Sequence, residues 1–289
     1  TDYTIADGTV SIRAGETTAN ISATVVNDAL DENDEKFVIT ISDPNSNVSL
    51  GTNQTYTYTI QDEDDPPTVQ FNAVSSNETE GTNGALKVDL SAASGKDVTV
   101  DYAVQASSTA TGGGTDYTLA DGTLTISAGS TTKNITITGV DDALDEDEET
   151  VIVLLSNPGN SSLGANTTHT FTINDNDATP TVQFNSTTGS YAEGTEDHNI
   201  RLDLSAASGR DVEVAYTVAA GTPAATGSGT DYTLDNGTAT FSAGATTKNL
   251  ELKNVDDSLD EWEEKFVITL SNSPTNATTG SNNTHTATI

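Results

Sequence analysis

Asp28, Asp31, Glu32, Asp34 and Glu35 put five carboxylates into eight residues. Asp141, Asp142 and the unbroken run 145–149 put seven into nine, and Asp256, Asp257, Asp260, Glu261, Glu263 and Glu264 put six into nine. Shorter acidic stretches follow at 62–65 and at Asp175 and Asp177, so 24 of the 44 acidic residues fall in two short loops per repeating unit. Carboxylates this close repel one another unless something neutralises them. A hard dication with about six to eight oxygen ligands does so, and calcium tolerates the irregular geometry that loops offer. Magnesium fits less well, because it demands a near-ideal octahedron and keeps its waters. Softer metals lack their ligands: there is no cysteine, and His169, His198 and His285 lie outside the acidic runs. A merely solvated acidic surface would scatter its carboxylates over strand faces, which here carry threonine.

Other chemistry finds less footing. Paired carboxylates resemble a glycosidase pair, but their recurrence in every unit speaks for structure over a single active site. The sequence has no nucleophile elbow, no HExxH and no phosphate-cradling loop before a helix. Gly112–Gly114 precede Asp116 between two strands, the wrong setting for phosphate. These readings make the chain a non-enzyme.

The elements that hold the loops repeat. TDYTIADGTVSIRAGETTANI at 1–21 returns as TDYTLADGTLTISAGSTTKNI at 115–135 and as TDYTLDNGTATFSAGATTKNL at 230–250. TVQFN occurs at 68–72 and 181–185, and LSAASG at 90–95 and 204–209. The register divides the chain into 1–65, the second half of a first unit; 66–177, a complete unit; and 178–289, a third unit lacking the closing acidic segment. An excerpt from a longer array is the expected explanation, with strand donation by a neighbouring chain as the alternative. Within a unit, apolar residues alternate at Leu86, Val88 and Leu90, at Val98 to Val104, and at Leu124 and Ile126. The alternation continues at Ile135 and Ile137 and at Phe171 and Ile173. Val151–Leu155 reads as a strand buried on both faces. Asp7-Gly8, Asp121-Gly122 and Asn236-Gly237 read as tight turns with positive φ. Counting gives about seven strands per unit, an all-β fold of tandem immunoglobulin-like seven-stranded β-sandwiches.

Composition narrows the partners. A net charge of −34 excludes a nucleic-acid grip and disfavours adsorption to anionic lipid. The longest apolar run, at 151–155, is far short of the roughly 20 residues of a membrane helix. Trp262 stands where Asn33 and Asp147 stand in the sister loops, so its ring is expected to be exposed.

GTDYTLADGTLTISAGSTTKNITITGVDDALDEDEETVIVLLSNP, followed by LGANTTHTFTINDND, resembles the Calx-beta domain of sodium–calcium exchangers, integrin β4 and bacterial surface proteins. The likeness runs through the second and third units and the half-unit before them. It implies calcium ligands drawn from three or four loops at one end of each sandwich. In the second unit these would be Glu80, Asp116, Asp141, Asp142, Glu146, Glu149, Asp175 and Asp177, with the Leu144 carbonyl. In the third they would be Glu193, Asp231, Asp256, Asp257, Glu261 and Glu264. In the first they would be Asp2, Asp28, Glu32, Glu35, Asp62 and Asp64, a weaker set because Asn27 replaces an aspartate and the first-strand glutamate is missing.

The leading expectation is a calcium-rigidified stalk or filament segment of a secreted or cell-surface adhesin, with calcium cancelling repulsion at each junction and Pro66-Pro67 stiffening the connection. The alternatives are regulatory calcium-sensor domains of a membrane or signalling protein, or a non-catalytic region of a large extracellular enzyme. Expected partners are neighbouring repeats, self-assembly into a fibre, and an adhesion target the residues leave unnamed. Nucleic acid and direct membrane insertion are excluded.

Overall fold

The threonine-rich alternation yields strands throughout. The computed structural model describes residues 2–194, 196–227, 229–256 and 262–289. The first repeat contributes β1 (Tyr3–Thr4), β2 (Thr24–Val25), β3 (Glu35–Thr40) and β4 (Thr55–Ile60). The second holds β5 (Thr68–Phe71), β6 (Ser75–Thr79), β7 (Gly84–Leu90), β8 (Val98–Val104), β9 (Tyr117–Thr118), β10 (Gly122–Ile126), β11 (Thr132–Gly139), β12 (Glu149–Gly159), β13 (Ser162–Leu163) and β14 (Thr168–Asn174). The third holds β15 (Thr181–Phe184), β16 (Thr188–Ser190), β17 (Asp197–Leu204), β18 (Val212–Ala220), β19 (Tyr232–Thr233), β20 (Gly237–Phe241), β21 (Thr247–Asn254), β22 (Lys265–Leu270), β23 (Thr278–Thr279) and β24 (Thr284–Thr288). Among the described residues no helix is long and apolar enough to cross a membrane.

In the second repeat two five-stranded sheets, ordered β10-β8-β12-β14-β6 and β13-β5-β7-β11-β9, face each other. Between them lies one core that includes Phe71, Leu86, Val100, Ile137, Val153 and Phe171, each no more than 1% exposed. The third repeat repeats the order as β20-β18-β22-β24-β16 and β23-β15-β17-β21-β19 around Phe184, Leu202, Phe241 and Phe266. Burying one side chain of each alternating pair is what fixes the register, since a one-residue slip would turn the apolar set to water.

The count of seven strands becomes ten. Seven strands lie where they are expected, the first of them is divided into β5 and β6, and the two-residue β9 and β13 are added. The first strand switches sheets between Asn72 and Val74, so β5 pairs antiparallel with β7 while β6 pairs parallel with β14. The two-residue β9 and β13 are loop segments drawn against the sheet edges. At the switch His169 is buried, its Nδ1 2.7 Å from the Ala73 carbonyl and its Nε2 2.8 Å from Ser76 Oγ. His285 makes the same crossover contact with the Ser186 carbonyl.

Two local expectations are corrected. β12 is buried on one face only: Val151, Val153 and Leu155 are core, whereas Ile152 and Leu154 are half-buried on the outer face. Asp7-Gly8, Asp121-Gly122 and Asn236-Gly237 do not have positive φ. Gly122 and Gly237 open strands, and a Cβ there would strike the Tyr102 or Tyr216 hydroxyl, so the glycine answers a close approach and not a left-handed turn. The preceding side chains act in its place, with Asp121 Oδ1 accepting the Val104 N–H and Asn236 Oδ1 accepting the Val218 N–H.

The first repeat is thinner. Its two-stranded pairs β1-β2 and β3-β4 pack Tyr3, Phe37 and Tyr58 rings in a stack. Val10, Ile12, Val38 and Tyr56 are exposed.

Candidate metal centre

In the second repeat the acidic loops converge at one end of the sandwich. There Glu80 follows β6, Asp116 precedes β9, Asp142 and Glu146 stand on the loop from β11 to β12, Glu149 opens β12 and Asp175 follows β14. All six line one cavity, together with Thr115 and Asp147. Two tight groups occur there: Asp116, Glu146 and Glu149 on the cavity lining, and Glu80 and Asp142 of the lining with Asp177 beside it. Within each, one oxygen per carboxylate lies within 4.8 Å of the others. The Asp142 side chain accepts the Leu144 N–H at 2.8 Å, holding the loop in a turn. Asp116 Oδ2 accepts the Thr111 N–H at 2.5 Å.

The electrostatics are those of unneutralised negative charge. Burial, contact with Asp177 and the charges of Asp175 and Asp177 push Glu80 up to about 7. Burial, a hydrogen bond with Asp116 and the charges of Asp116 and Glu146 push Glu149 up to about 7 as well. Glu146 is raised by burial and by Asp142, Asp116 and Asp175, and lowered by Arg210 of the next repeat. Glu80 Oε1 and Asp177 Oδ2 are buried with no hydrogen-bond partner. Orphaned acceptor oxygens on adjacent carboxylates are costly unless a cation takes them. An all-oxygen donor set in irregular loops fits calcium.

In the first repeat Asp2, Asp28, Glu32, Glu35, Asp62 and Asp64 all line one cavity, with Glu63 and Asn27 beside them. Asp28 Oδ1 accepts the Leu30 N–H at 3.0 Å, the counterpart of the Asp142 turn. Glu32 is raised by burial and by Asp28, Asp2 and Asp62; Glu35 is raised chiefly by its hydrogen bond with Asp2. In the third repeat Asp231 Oδ2 accepts the Thr226 N–H as Asp116 does with Thr111. Asp256 and Glu193 are exposed and Glu264 half-buried. Asp257 and Glu261 lie outside the described residues. Trp262 is 91% exposed, in keeping with its place on the acidic loop.

One residue stands apart. Asp141 Oδ1 accepts the Asn176 side-chain N–H at 3.1 Å, and its Cβ sits against Gly81. Asp141 is not among the carboxylates lining the cavity or in either tight group.

The Calx-beta domain model matches residues 1–64, 62–177 and 175–289. The chain belongs to the Calx-beta domain family. Solved structures similar to this Calx-beta chain include CBD12 from CALX1.2, at 19% identity and a TM-score of 0.37, covering 77% of this chain and 99% of that one. A second is the calcium binding domain CBD12 of CALX1.1, at 19% identity and a TM-score of 0.37, covering 76% and 99%. A third is the MG0-NIE-MG1 span of alpha-2-macroglobulin from Escherichia coli, at 13% identity and a TM-score of 0.27, covering 97% and 81%.

Two features escaped sequence reading. Asp147 lines the cavity and pairs with Arg210 across the repeat boundary at 2.7 Å. Asp31 and Asp145, read only as members of acidic runs, are 3% exposed and bonded to the following repeat. The available signal was the pairing of a recurrent LSAASG with a basic residue immediately after it, Lys96 or Arg210, in a chain with only 10 basic residues.

Proposed function

We propose that this chain is a calcium-binding Calx-beta array that serves as a stalk or filament segment of a secreted or cell-surface adhesin, and that its acidic end loops are rigidified by the ion. One observation carries the calcium reading: in the second repeat two groups of three carboxylates converge, with buried oxygens of Glu80 and Asp177 lacking any partner. Calcium, when bound, supplies the positive charge that these oxygens lack. Glu80, Asp142 and Asp177 would hold one ion and Asp116, Glu146 and Glu149 another, with Asp175 on the lining of the same cavity. The same residues tie four separate chain segments together, so holding the ions orders the loop from β11 to β12 against the ends of β6 and β14 and the segment before β9. The stalk reading is supported by tandem units of one topology and by junctions as short as Asp65-Pro66-Pro67. Such units suit length and stiffness. Binding without catalysis accounts for carboxylate clusters that recur instead of converging on one centre.

Isothermal titration of the whole chain tests the site. Calcium is expected to bind exothermically or endothermically with saturable stoichiometry, and magnesium at the same concentration to bind far more weakly. Glu149→Gln should lower the affinity of one class of sites at least about ten-fold, equivalent to about 1.4 kcal/mol. Asp141→Asn, outside both groups, should change it by less than that. No saturable calcium binding would end the proposal.

A further inference from the structure

We infer that Asp31 and Asp145 are latches between successive repeats, not metal ligands, and that each fixes the next sandwich in a set orientation with no need of calcium. At the first junction Asp31 is 3% and Ser94 1% exposed. Ser94 Oγ donates to the Asp31 carbonyl at 3.1 Å, the Gly95 N–H donates to the same carbonyl at 3.0 Å, and Lys96 Nζ donates to Asp31 Oδ1 at 2.7 Å. At the second junction Asp145 and Ser208 are buried to the same degree. Ser208 Oγ donates to the Asp145 carbonyl at 2.9 Å and the Gly209 N–H to it at 3.1 Å. Arg210 reaches Asp145 Oδ2 with one terminal nitrogen and Asp147 Oδ1 with the other. Thr179 Oγ1 of the connecting segment adds a bond to Asp145 Oδ1 at 3.2 Å. Aspartate and serine are 63 residues apart at both boundaries, and aspartate and base 65.

The same device therefore occurs twice with one spacing, and a parallel β-bridge aligns the two backbones each time, Asp31 with Ser94 and Asp145 with Ser208. Both oxygens of each buried carboxylate already accept from a serine, a base and, at the second junction, a threonine, and the base stands where a cation would have to sit. Its charge is matched by the base, so the contact closes without a metal. Breaking such a pair from one side leaves the partner charge buried, which makes the contact specific in geometry. Gly95 and Gly209 are required by closeness: a Cβ there would collide with Glu32 or Glu146 of the preceding repeat. The surface formed by Ser-Gly-Lys/Arg thus fits one kind of partner, the buried aspartate of another repeat's acidic loop.

The chain has no cysteine, so spin labels can be placed at Thr136→Cys on the second repeat and Glu251→Cys on the third, both exposed. Double electron–electron resonance on the full calcium-free chain should give one narrow distance distribution. Asp145→Ala and Arg210→Ala should each broaden it at least about two-fold, while Arg210→Lys keeps it narrow, since lysine fills that place at the first junction. Ser208→Ala provides a milder variant should Asp145→Ala fail to fold. A broad distribution in the calcium-free wild type, or variants as narrow as the wild type, would overturn the inference. The outcome is separate from the calcium titration, because a chain that binds no calcium would still show the latch.

Discussion

If the proposed sites hold calcium, stripping it from the array should lower the melting temperature of the second repeat by about 10 °C for each ion. The size follows from linkage: a ligand at 100 times its dissociation constant stabilises the folded state by about 2.7 kcal/mol, and about 1 kcal/mol moves the midpoint of a domain near 100 residues by roughly 4 °C. Two triads of carboxylates, with three of their six members on the stretch 142–149 and the others at Glu80, Asp116 and Asp177, give room for two such increments. Differential scanning calorimetry in about 1 mM calcium and in excess chelator measures it. Superimposable curves would leave the acidic loops as plain surface. The first repeat should respond less, because its six carboxylates line a cavity without forming a comparably tight group among the described residues.

Neutral substitution turns this into a test of individual residues. Glu80→Gln and Glu149→Gln remove the charges whose burial and neighbours hold them up at about 7. In chelator each variant should therefore melt higher than the wild type, because repulsion is relieved. In calcium each should melt lower, because a ligand is gone. A purely structural glutamate would move both curves in one direction.

The sheets were legible because their code is local. Alternation runs through β7, β10 and β14 and through the buried parts of β8 and β11, and the core residues Leu86, Val100, Ile137 and Phe171 fall where it places them. The acidic loops were legible because repulsion among Asp141–Glu149 is visible in one dimension, and three-fold repetition showed that it is kept. What one dimension hides is which acid faces which neighbour. Asp145 and Glu146 are adjacent and look alike, yet Asp145 is buried against Ser208 and Arg210 while Glu146 faces the cavity. Successive side chains on an extended loop point opposite ways, and only contact with the next repeat distinguishes them. Gly122 illustrates the same limit: glycine after aspartate reads as a turn, and the tyrosine ring that requires it comes from β8, twenty residues earlier.

Protonation separates the calcium-free and calcium-bound states most sharply, since the pH dependence of stability should change sign between them. In the calcium-free chain Glu80 and Glu149 titrate near 7 when folded, above their ordinary 4.5. The folded state then holds protons that the unfolded state releases between those values. This contribution is complete below about 4.5 and is lost as pH rises through about 7. Glu146, also raised, adds in the same direction. His169 opposes it: burial lowers its pKa, so it costs stability as pH falls below its ordinary 6.5. Three carboxylates act against that one imidazole, and the net slope from pH 5 to 8 should be downward. Because these groups are half-buried and partly screened, the expected fall is about 4–8 °C, the shift produced by roughly 1 kcal/mol. With calcium saturating, the bound form needs every carboxylate ionised, protons compete with the ion, and stability rises with pH over the same interval. Melting curves at half-unit steps of pH, on calcium-free protein and on protein in excess calcium, should therefore converge near pH 5 and diverge above pH 7. Parallel curves would mean that the ion is held elsewhere than on Glu80 and Glu149.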